Sequence, residues 1–280
     1  MNNEYHIVSF SGGKDSTAML LHMIEQGMHI DEVINFDTGV EFSDMYIHIN
    51  KVKEIVTSHE IPFKTFKSEL EFEHFLLERE REDKANLLRY GWGWPNMKNR
   101  WCTSYLKTRL IEPYLRTLKE KYEVIQYIGI ASDEKKRMER DIHKRSGFRY
   151  PLVEWGWSES DCLQYCYDQG LDWNGLYESF SHVSCWLCPL QKISELYKLW
   201  DKYPELWTKL KEWDSKLIEN CGTGTFLFKE PYTIDQLEKR FEVEKRKKSA
   251  NINTKSRNFY KEIHLVCNGL PKNQTTLEIQ

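Results

Sequence analysis

The chain has 280 residues, 40% of them hydrophobic and 30% charged, as in ordinary globular proteins. Its net charge of −3 excludes a general polycation, so any contact with nucleic acid must use a local basic patch. No apolar run approaches the roughly 20 residues of a membrane span. No charged-then-apolar leader opens the chain, and the seven cysteines are an odd number, so we expect a cytoplasmic protein with reduced thiols.

The first half of the chain alternates strand-like runs with amphipathic helices. Strands are predicted at residues 6–10, 33–36, 63–66 and 124–131, and helices at 15–26, 45–59 and about 108–121. This alternation predicts an α/β fold with a doubly wound, mainly parallel sheet. Residues 151–155 should close the sheet region, and further helices are expected at 158–169, 195–200 and 204–218. We therefore expect a domain over residues 1–190 and a helical C-terminal extension over residues 191–280.

A turn with two glycines follows the first strand and precedes the first helix. Its sequence is Ser11-Gly12-Gly13-Lys14-Asp15-Ser16. The glycines let several backbone N–H groups converge, the helix directs the positive end of its dipole to the same point, and Lys14 adds a cation. The turn predicts a site for pyrophosphate or sulfate, and it is neither a Walker A loop nor a dinucleotide-binding motif.

This turn matches Ser-Gly-Gly-x-Asp-Ser, so the chain resembles the PP-loop ATP pyrophosphatase superfamily, also called adenine nucleotide alpha hydrolase-like. The resemblance implies a HUP-like fold whose loop holds the β- and γ-phosphates of ATP while a substrate is adenylated. Mg²⁺ is then expected as the counterion of the phosphates. A glycine-rich turn that binds nothing is the alternative.

Further passages, over about residues 5–190, resemble the phosphoadenosine phosphosulfate (PAPS) reductase family, which includes reductases of adenosine phosphosulfate (APS). They are residues 37–42, 101–115, 129–140 and 185–188. The resemblance implies nucleotide contacts from the PP-loop and from Asp37, Thr38, Gly39, Gly129, Arg137 and Arg140. It also implies that Lys107 and the two arginines clamp phosphate or sulfate. Asp37 could instead serve only its own turn, and the arginines a solvated helix face.

Three cysteines form a candidate metal site: Cys102, and Cys185 with Cys188 in a Cys-x-x-Cys pattern. A two-residue spacer lets both thiolates reach one ion. Three thiolates leave one coordination position open, which suits a [4Fe–4S] cluster with one free iron; zinc, or no metal, are the alternatives. Cluster-bearing relatives have two adjacent cysteines where this chain has Trp101-Cys102, a departure that resembles PP-loop enzymes of tRNA thiolation.

The motifs favour one reaction over another. Family reductases end in a Glu-Cys-Gly-hydrophobic-His tail, and neither Asn220-Cys221-Gly222 nor Val266-Cys267-Asn268 matches it. The complete PP-loop instead predicts an enzyme that adenylates a substrate with release of pyrophosphate, for sulfur transfer, with Lys14, Asp15, Lys107 and Arg137 as catalytic candidates. The alternatives are a PAPS or APS reductase that releases sulfite, and a non-catalytic nucleotide-binding module.

Two further passages suggest partners or packing. Residues 239–261, from Lys239 to Lys261, carry nine Lys or Arg and could hold a nucleic acid, or could be a solvated helix. A sulfur-donor protein is a further expected partner. Trp92-Gly93-Trp94-Pro95 lies in a loop-like stretch where stacking on a base and hydrophobic packing are both open.

Overall fold

A computed structural model of the chain describes residues 3–82, 88–139, 146–183, 185–221 and 227–249. The chain forms two compact units: Met1–Phe72 with Asn99–Trp186, and Glu73–Lys98 with Leu187–Gln280. Residues 73–98 therefore group with the C-terminal part of the chain. A division between residues 190 and 191 places them in the first domain instead.

The first unit is built on a five-stranded sheet in which all pairs are parallel. The strands are β1 (Glu4–Ser9), β2 (Glu32–Asp37), β3 (Phe63–Lys67), β6 (Glu123–Ile128) and β7 (Phe148–Arg149), in the order β3-β2-β1-β6-β7. The predicted α/β fold with a parallel sheet is confirmed. Because β2 and β6 lie on opposite sides of β1, the winding reverses there, and a crevice is expected at the carboxyl ends of β1 and β6.

Helices follow the strands of the first unit. They are α1 (Lys14–Glu25), α2 (Ser43–Ser58), α3 (Trp101–Thr103), α4 (Arg109–Lys119), α5 (Lys135–Met138), α6 (Pro151–Trp155), α7 (Glu159–Asp168) and α8 (Leu176–Ser179). A π-helical segment, Ser104–Thr108, joins α3 to α4. The predicted helices at 15–26, 45–59, 108–121 and 158–169 are confirmed within the usual uncertainty of helix ends.

The end of the sheet differs from the prediction. Residues 151–155 were expected to close the sheet region, but they form helix α6, and the last strand is the two-residue β7. Pro151 stands in the first turn of α6, where its fixed φ favours a helix, and Gly156 ends that helix with a φ of 75°. The strand predicted to reach residue 131 also stops earlier, at Ile128.

The core of the first unit lies on the faces of the sheet. Ile7, Ile34 and Val124 come from three neighbouring strands and are almost completely buried. Ile111, Leu115 and Leu118 of α4 pack against them. On α1, Ala18, Met19, Leu20 and Met23 are likewise completely buried.

The second unit is mainly helical, so the predicted helical C-terminal region is confirmed. Its helices are α9 (Ile193–Lys202), α10 (Pro204–Cys221) and α11 (Ile234–Ser249), together with a π-helical segment, His74–Glu78, and the antiparallel strands β4 (Glu80–Glu82) and β5 (Leu88–Tyr90). Trp94 is buried, and its indole N–H donates to Asp214 Oδ1 at 2.7 Å. Packing is therefore the observed role of Trp94. No helix among the described residues is long and apolar enough to cross a membrane.

Candidate functional site

The PP-loop connects β1 to α1 and leaves the start of α1 without a side-chain cap. Gly12 has a φ of 83°, and a Cβ there would lie 2.8 Å from atoms of both Met45 and Ile49. Gly13 is the N-cap residue of α1 and offers no side-chain oxygen. The N–H groups of Asp15 and Ser16, in the first turn, have no helical acceptor, so they and the helix dipole favour an anion at this position.

The two serines of the loop have different environments. The Ser16 hydroxyl donates to the Gly13 carbonyl at 3.0 Å and accepts the Ser11 N–H at 3.2 Å. It is buried, whereas Ser11 is exposed. Ser16 therefore holds the loop in shape, and Ser11 is the serine whose hydroxyl is accessible to a ligand.

A strained turn supports the loop through a buried hydrogen bond. The Trp173 indole N–H donates to the Gly12 carbonyl at 2.8 Å. Trp173 and Asn174 both have positive φ values, 52° and 51°, which are unfavourable for residues with a Cβ. The Asn174 amide donates to Asp44 Oδ1 on α2 at 2.7 Å. These long-range contacts hold the turn in a conformation that its local sequence does not favour.

His48 continues this support beneath the loop. Its ring stacks on Trp173 at a centroid distance of 4.2 Å, and its Nε2 lies 3.0 Å from Thr17 Oγ1. Burial, assisted by the charge of Lys51, lowers the pKa of His48 to about 3. His48 is therefore neutral at physiological pH and acts as a packing and hydrogen-bonding group.

Gly129 brings the end of β6 against the same helix. A Cβ on Gly129 would lie 2.8 Å from both the N and Cα atoms of Ser16 and 3.0 Å from the carbonyl carbon of Asp15. These are backbone atoms that cannot move without moving α1. The structure thus places Gly129, predicted as a nucleotide contact, directly beside the first turn of α1.

Lys14 is buried and forms two ion pairs. It is only 6% exposed, and its Nζ lies 2.6 Å from Glu159 Oε2 and 3.3 Å from Asp15 Oδ2. Burial alone would lower the pKa of Lys14, but the two carboxylates outweigh it and the pKa is raised. For Glu159 the signs are reversed. Burial alone would raise the pKa of Glu159, but Lys14 outweighs burial and the pKa is lowered. Lys14 therefore joins the loop to the start of α7.

One carboxylate oxygen of Asp15 lacks a hydrogen-bond partner among the described residues. It is Oδ1, which is buried. Burial raises the pKa of Asp15, Lys14 opposes that shift, and Glu159 adds to it. A carboxylate oxygen is a hard ligand that suits Mg²⁺, so the residues present fit the predicted ion, with Asp15 as its candidate ligand.

Charged residues from two further segments surround Glu159. Its backbone N–H donates to Asp133 Oδ1 at 3.1 Å. Arg137 on α5 donates to both carboxylate oxygens of Glu134 at 3.1 Å, and its charge contributes, after burial, Lys14 and His182, to the pKa of Glu159. Arg137 thus lies within electrostatic range of the Lys14 ion pair, and its phosphate-binding role stays a prediction.

The remaining predicted phosphate ligands are Lys107 and Arg140. Lys107 is half-buried in the π-helical segment before α4. Arg140 lies outside the described residues. Their roles remain predictions.

In the turn after β2, the Asp37 carboxylate contacts its own surroundings. Oδ1 accepts the Gly39 N–H at 2.8 Å and the Tyr46 hydroxyl at 2.9 Å, and Oδ2 lies 3.4 Å from Lys67 Nζ. Both oxygens therefore stabilise the turn that presents Thr38 and Gly39.

The same turn lies next to one of the predicted metal ligands. The Thr38 hydroxyl donates to Glu41 Oε1 at 2.9 Å, and the Cys185 thiol donates to the same oxygen at 3.3 Å. The Trp186 N–H donates to the Val40 carbonyl at 3.1 Å. The motifs predict that Thr38 and Cys185 belong to separate sites. In the fold, Thr38 Oγ1 lies 3.7 Å from Cys185 Sγ.

The cysteines divide by burial. Cys102, Cys185 and Cys188 are partly exposed and are not in disulfides, so their donor chemistry suits zinc or an iron–sulfur cluster. Cys162 and Cys166 are completely buried, and burial raises the pKa of both thiols, as expected for packing residues. Within the described residues, no three His, Cys, Asp or Glu side chains are grouped as metal ligands.

Comparison with known families identifies most of the chain. Residues 5–191 match the model of the phosphoadenosine phosphosulfate reductase domain, so the chain belongs to that family. The family predicted from the PP-loop and the later motifs is thereby confirmed.

Similar proteins occur in archaea and a phage. Two uncharacterized proteins of Methanocaldococcus jannaschii are 29% and 28% identical over 78% and 74% of this chain. The matches cover 43% and 47% of those proteins, so this chain spans less than half of their length. An uncharacterized 37.8 kDa protein of Escherichia phage 186 is 26% identical, with 85% of this chain and 83% of the relative covered.

One solved structure is also similar. It is the U34-tRNA thiolase NcsA of Methanococcus maripaludis with its [4Fe–4S] cluster, at 17% identity and a TM-score of 0.38. The match covers 78% of this chain and 71% of that chain.

Replacing Asp15 should separate stability from ligand binding. Because burial raises the pKa of Asp15, its ionised form destabilises the fold above that pKa, and the penalty disappears below the unfolded value of about 3.9. We expect Asp15→Asn to raise the melting temperature at pH 7, with the gain vanishing near pH 4, and to weaken Mg²⁺-dependent ATP binding. Thermal melts across this pH range measure the first effect and calorimetric titration the second.

Asp161→Asn is the matched control, with the opposite sign. Hydrogen bonds from the Ser158 side chain and backbone lower the pKa of Asp161, so its charge stabilises the fold at neutral pH, and that stabilisation is lost as the pH falls through the lowered pKa. The control should lower the melting temperature and leave ATP binding unchanged. A lower melting temperature for Asp15→Asn would contradict the assignment of Asp15 as a destabilising buried charge.

Proposed function

We propose that this member of the PAPS reductase family is an ATP-dependent enzyme that adenylates a substrate, releases pyrophosphate and transfers sulfur. The proposal depends on one observation: where the sheet reverses its winding, the N–H groups of Asp15 and Ser16 in the first turn of α1 have neither a helical acceptor nor a side-chain cap. An anionic phosphoryl chain satisfies the N–H groups of that turn and complements the helix dipole.

The reaction follows from where the phosphates would bind. With the β- and γ-phosphates in the loop, the α-phosphate is left facing the crevice. An oxygen of the substrate attacks the α-phosphorus, the bond from that phosphorus to the bridging oxygen of the β-phosphate breaks, and pyrophosphate leaves with the electron pair. A sulfur nucleophile then attacks the substrate carbon that bears this oxygen, and AMP leaves together with the oxygen.

Each residue of the site has a proposed role in this step. The N–H groups of Gly13, Asp15 and Ser16 and the Ser11 hydroxyl bind the phosphates, and Lys14 holds the loop on α7. Mg²⁺, when bound through Asp15 Oδ1, would neutralise phosphate charge. Arg137 and Lys107 are candidates to stabilise charge at the α-phosphate. The turn from Asp37 to Gly39 and the backbone of Gly129 would border the adenosine.

The cysteines supply the second half of the proposal. Cys185 contacts the nucleotide-side turn through Thr38 and Glu41, so a sulfur species held there would be close to an activated substrate. We propose that Cys102, Cys185 and Cys188 hold a [4Fe–4S] cluster, with zinc as the alternative.

A nucleic-acid substrate is proposed from the basic helix α11. Its last turn carries Arg246, Lys247 and Lys248, preceded by Lys245. Lys245 pairs with Asp201 at 2.7 Å, and Lys248 lies 3.6 Å above the Tyr197 ring, so cations and aromatic side chains occur together on α9 and α11. Such a combination suits a nucleic-acid backbone with stacked bases. The rest of the predicted basic segment, residues 250–261, lies outside the described residues.

Nucleotide preference tests the proposed reaction. Because the loop should bind the β- and γ-phosphates, we expect ATP with Mg²⁺ to raise the melting temperature more than AMP or PAPS at equal concentration. We also expect pyrophosphate alone to bind. Differential scanning fluorimetry with these ligands, followed by calorimetric titration, measures the order of affinity.

The variant for this experiment is Ser11→Ala. It removes the exposed hydroxyl of the loop and keeps the buried hydroxyl of Ser16. It should weaken ATP and pyrophosphate binding and leave AMP binding unchanged. Stronger binding of PAPS than of ATP, with sulfite released by a thiol donor, would instead identify a sulfonucleotide reductase. Tight ATP binding with no pyrophosphate release from any candidate acceptor would favour a non-catalytic nucleotide-binding module.

Metal analysis tests the cluster. Protein purified without oxygen should contain iron and acid-labile sulfide and absorb visible light, and Cys185→Ser should lose all three signals. Cys162→Ser is the matched control, because Cys162 is buried and should keep the cluster if the protein folds. Colourless protein that contains zinc would reject the cluster in favour of the zinc alternative.

Salt dependence tests the nucleic-acid interface. Replacing the four cations of residues 245–248 by Gln should weaken binding of a labelled RNA hairpin, and should flatten the dependence of log K on log salt by about 0.7 for each cation that contacts a phosphate. Fluorescence anisotropy at several salt concentrations measures the slope. The double variant Lys119→Gln, Lys121→Gln, at the end of α4, is the control and should keep it. An unchanged slope in the fourfold variant would remove α11 from the interface.

A further inference from the structure

Tyr177 reaches the PP-loop from α8. Its hydroxyl accepts the Lys14 N–H at 2.9 Å, and that N–H belongs to the first turn of α1. The hydroxyl oxygen also lies 3.4 Å from the position of a Cβ on Gly13, and the Ser11 hydroxyl lies 3.6 Å from the same position. The absent side chain of Gly13 therefore leaves a space that two hydroxyl groups border.

The proton of the Tyr177 hydroxyl has no acceptor in the described part of the chain. The bond from Lys14 uses the hydroxyl as an acceptor only, so its O–H remains available. Burial raises the pKa of Tyr177, so the hydroxyl keeps its proton at physiological pH. Tyr177 is partly buried, and a donor there without an acceptor is unfavourable, so a ligand oxygen in the loop would satisfy it.

The ring of Tyr177 is held in place by its neighbours. It makes an edge contact with Trp173 at a centroid distance of 4.7 Å, and Lys14 Nζ lies 5.8 Å from its centroid. Trp173 is itself fixed by its hydrogen bond to Gly12 and by the strained turn. The hydroxyl therefore occupies a defined position before any ligand arrives, which lowers the entropic cost of using it in binding.

We propose that the Tyr177 hydroxyl is a ligand-binding group of the PP-loop: it accepts the Lys14 N–H and donates its own proton to an oxygen of the bound phosphoryl chain. This inference rests on the proposed ATP site and adds a residue to it that the loop motif does not contain. In the alternative role, the hydroxyl competes with the ligand: it occupies the Lys14 N–H, and the ligand must displace it. The two roles predict opposite effects of removing the oxygen.

Tyr177→Phe tests the proposal in the full chain. We expect the affinities for Mg²⁺–ATP and for pyrophosphate to fall about tenfold or more, the size expected for one hydrogen bond to a charged group, and the affinity for AMP to stay unchanged. Calorimetric titration with the three ligands measures the affinities. Tyr127→Phe is the matched control, because it removes a buried hydroxyl whose 2.9 Å contact is with His6 and not with the loop. It should bind all three ligands like the wild type.

A second variant keeps the hydroxyl in case the first one folds poorly. Incorporating 3-fluorotyrosine at position 177 makes the hydroxyl a stronger donor and a weaker acceptor. ATP affinity should then equal or exceed that of the wild type, and a loss would contradict donation to the ligand.

The remaining outcomes are also distinct. Unchanged or tighter ATP binding by Tyr177→Phe would overturn the proposal, and tighter binding would identify the competing role. Equal weakening of AMP would show a general distortion of the site and would also overturn it. A wild-type protein that binds neither ATP nor pyrophosphate would refute the nucleotide site itself, and the role of Tyr177 with it.

Discussion

The ion pair between Lys14 and Glu159 is the interaction on which the rest of the site depends. It joins the first residue of α1 to the first residue of α7, 145 positions later in the chain, with the two charged atoms 2.6 Å apart. Removing Glu159 would leave the buried Lys14 charge with Asp15 as its remaining ion-pair partner, and a buried charge that is poorly compensated is costly. The pair therefore fixes two helix N-termini relative to each other, and the PP-loop takes its position from that arrangement.

Around this pair, the protein supports the loop with residues that do not belong to the motif. Trp173 binds the Gly12 carbonyl, Tyr177 binds the Lys14 amide, and the backbone at Gly129 packs on Ser16. The cost of two left-handed non-glycine residues is offset by the contacts that they allow. The N–H groups of Asp15 and Ser16, and Asp15 Oδ1, which has no hydrogen-bond partner in the described part of the chain, then remain for a ligand. Stability is given up where binding is expected, as at many functional sites.

The sequence predicted much of the fold because its signals are local. Hydrophobic runs located β1, β2 and β3, and helical periodicity located α1, α2 and α7. The glycine turn predicted where the anion site should lie, and the order of the motifs predicted the family that the domain comparison confirms. The prediction failed at residues 151–155, where Pro151 starts a helix after a strand of only two residues. It also left Trp94 open, because the burial of a loop residue depends on distant partners.

The sequence by itself determined the parallel α/β fold, the family and the position of the PP-loop, since strand, glycine turn and helix are contiguous and each follows from nearby residues. Only the tertiary structure decided what the side chains of that loop do. In that structure Lys14 pairs with Glu159, and the Ser16 hydroxyl donates to the Gly13 carbonyl of its own loop. Tyr177 contacts the loop, and Cys185 contacts Thr38. These partners are separated by up to about 160 residues in sequence, and no local pattern encodes which of them meet, because packing of the whole sheet and its helices selects the pairs.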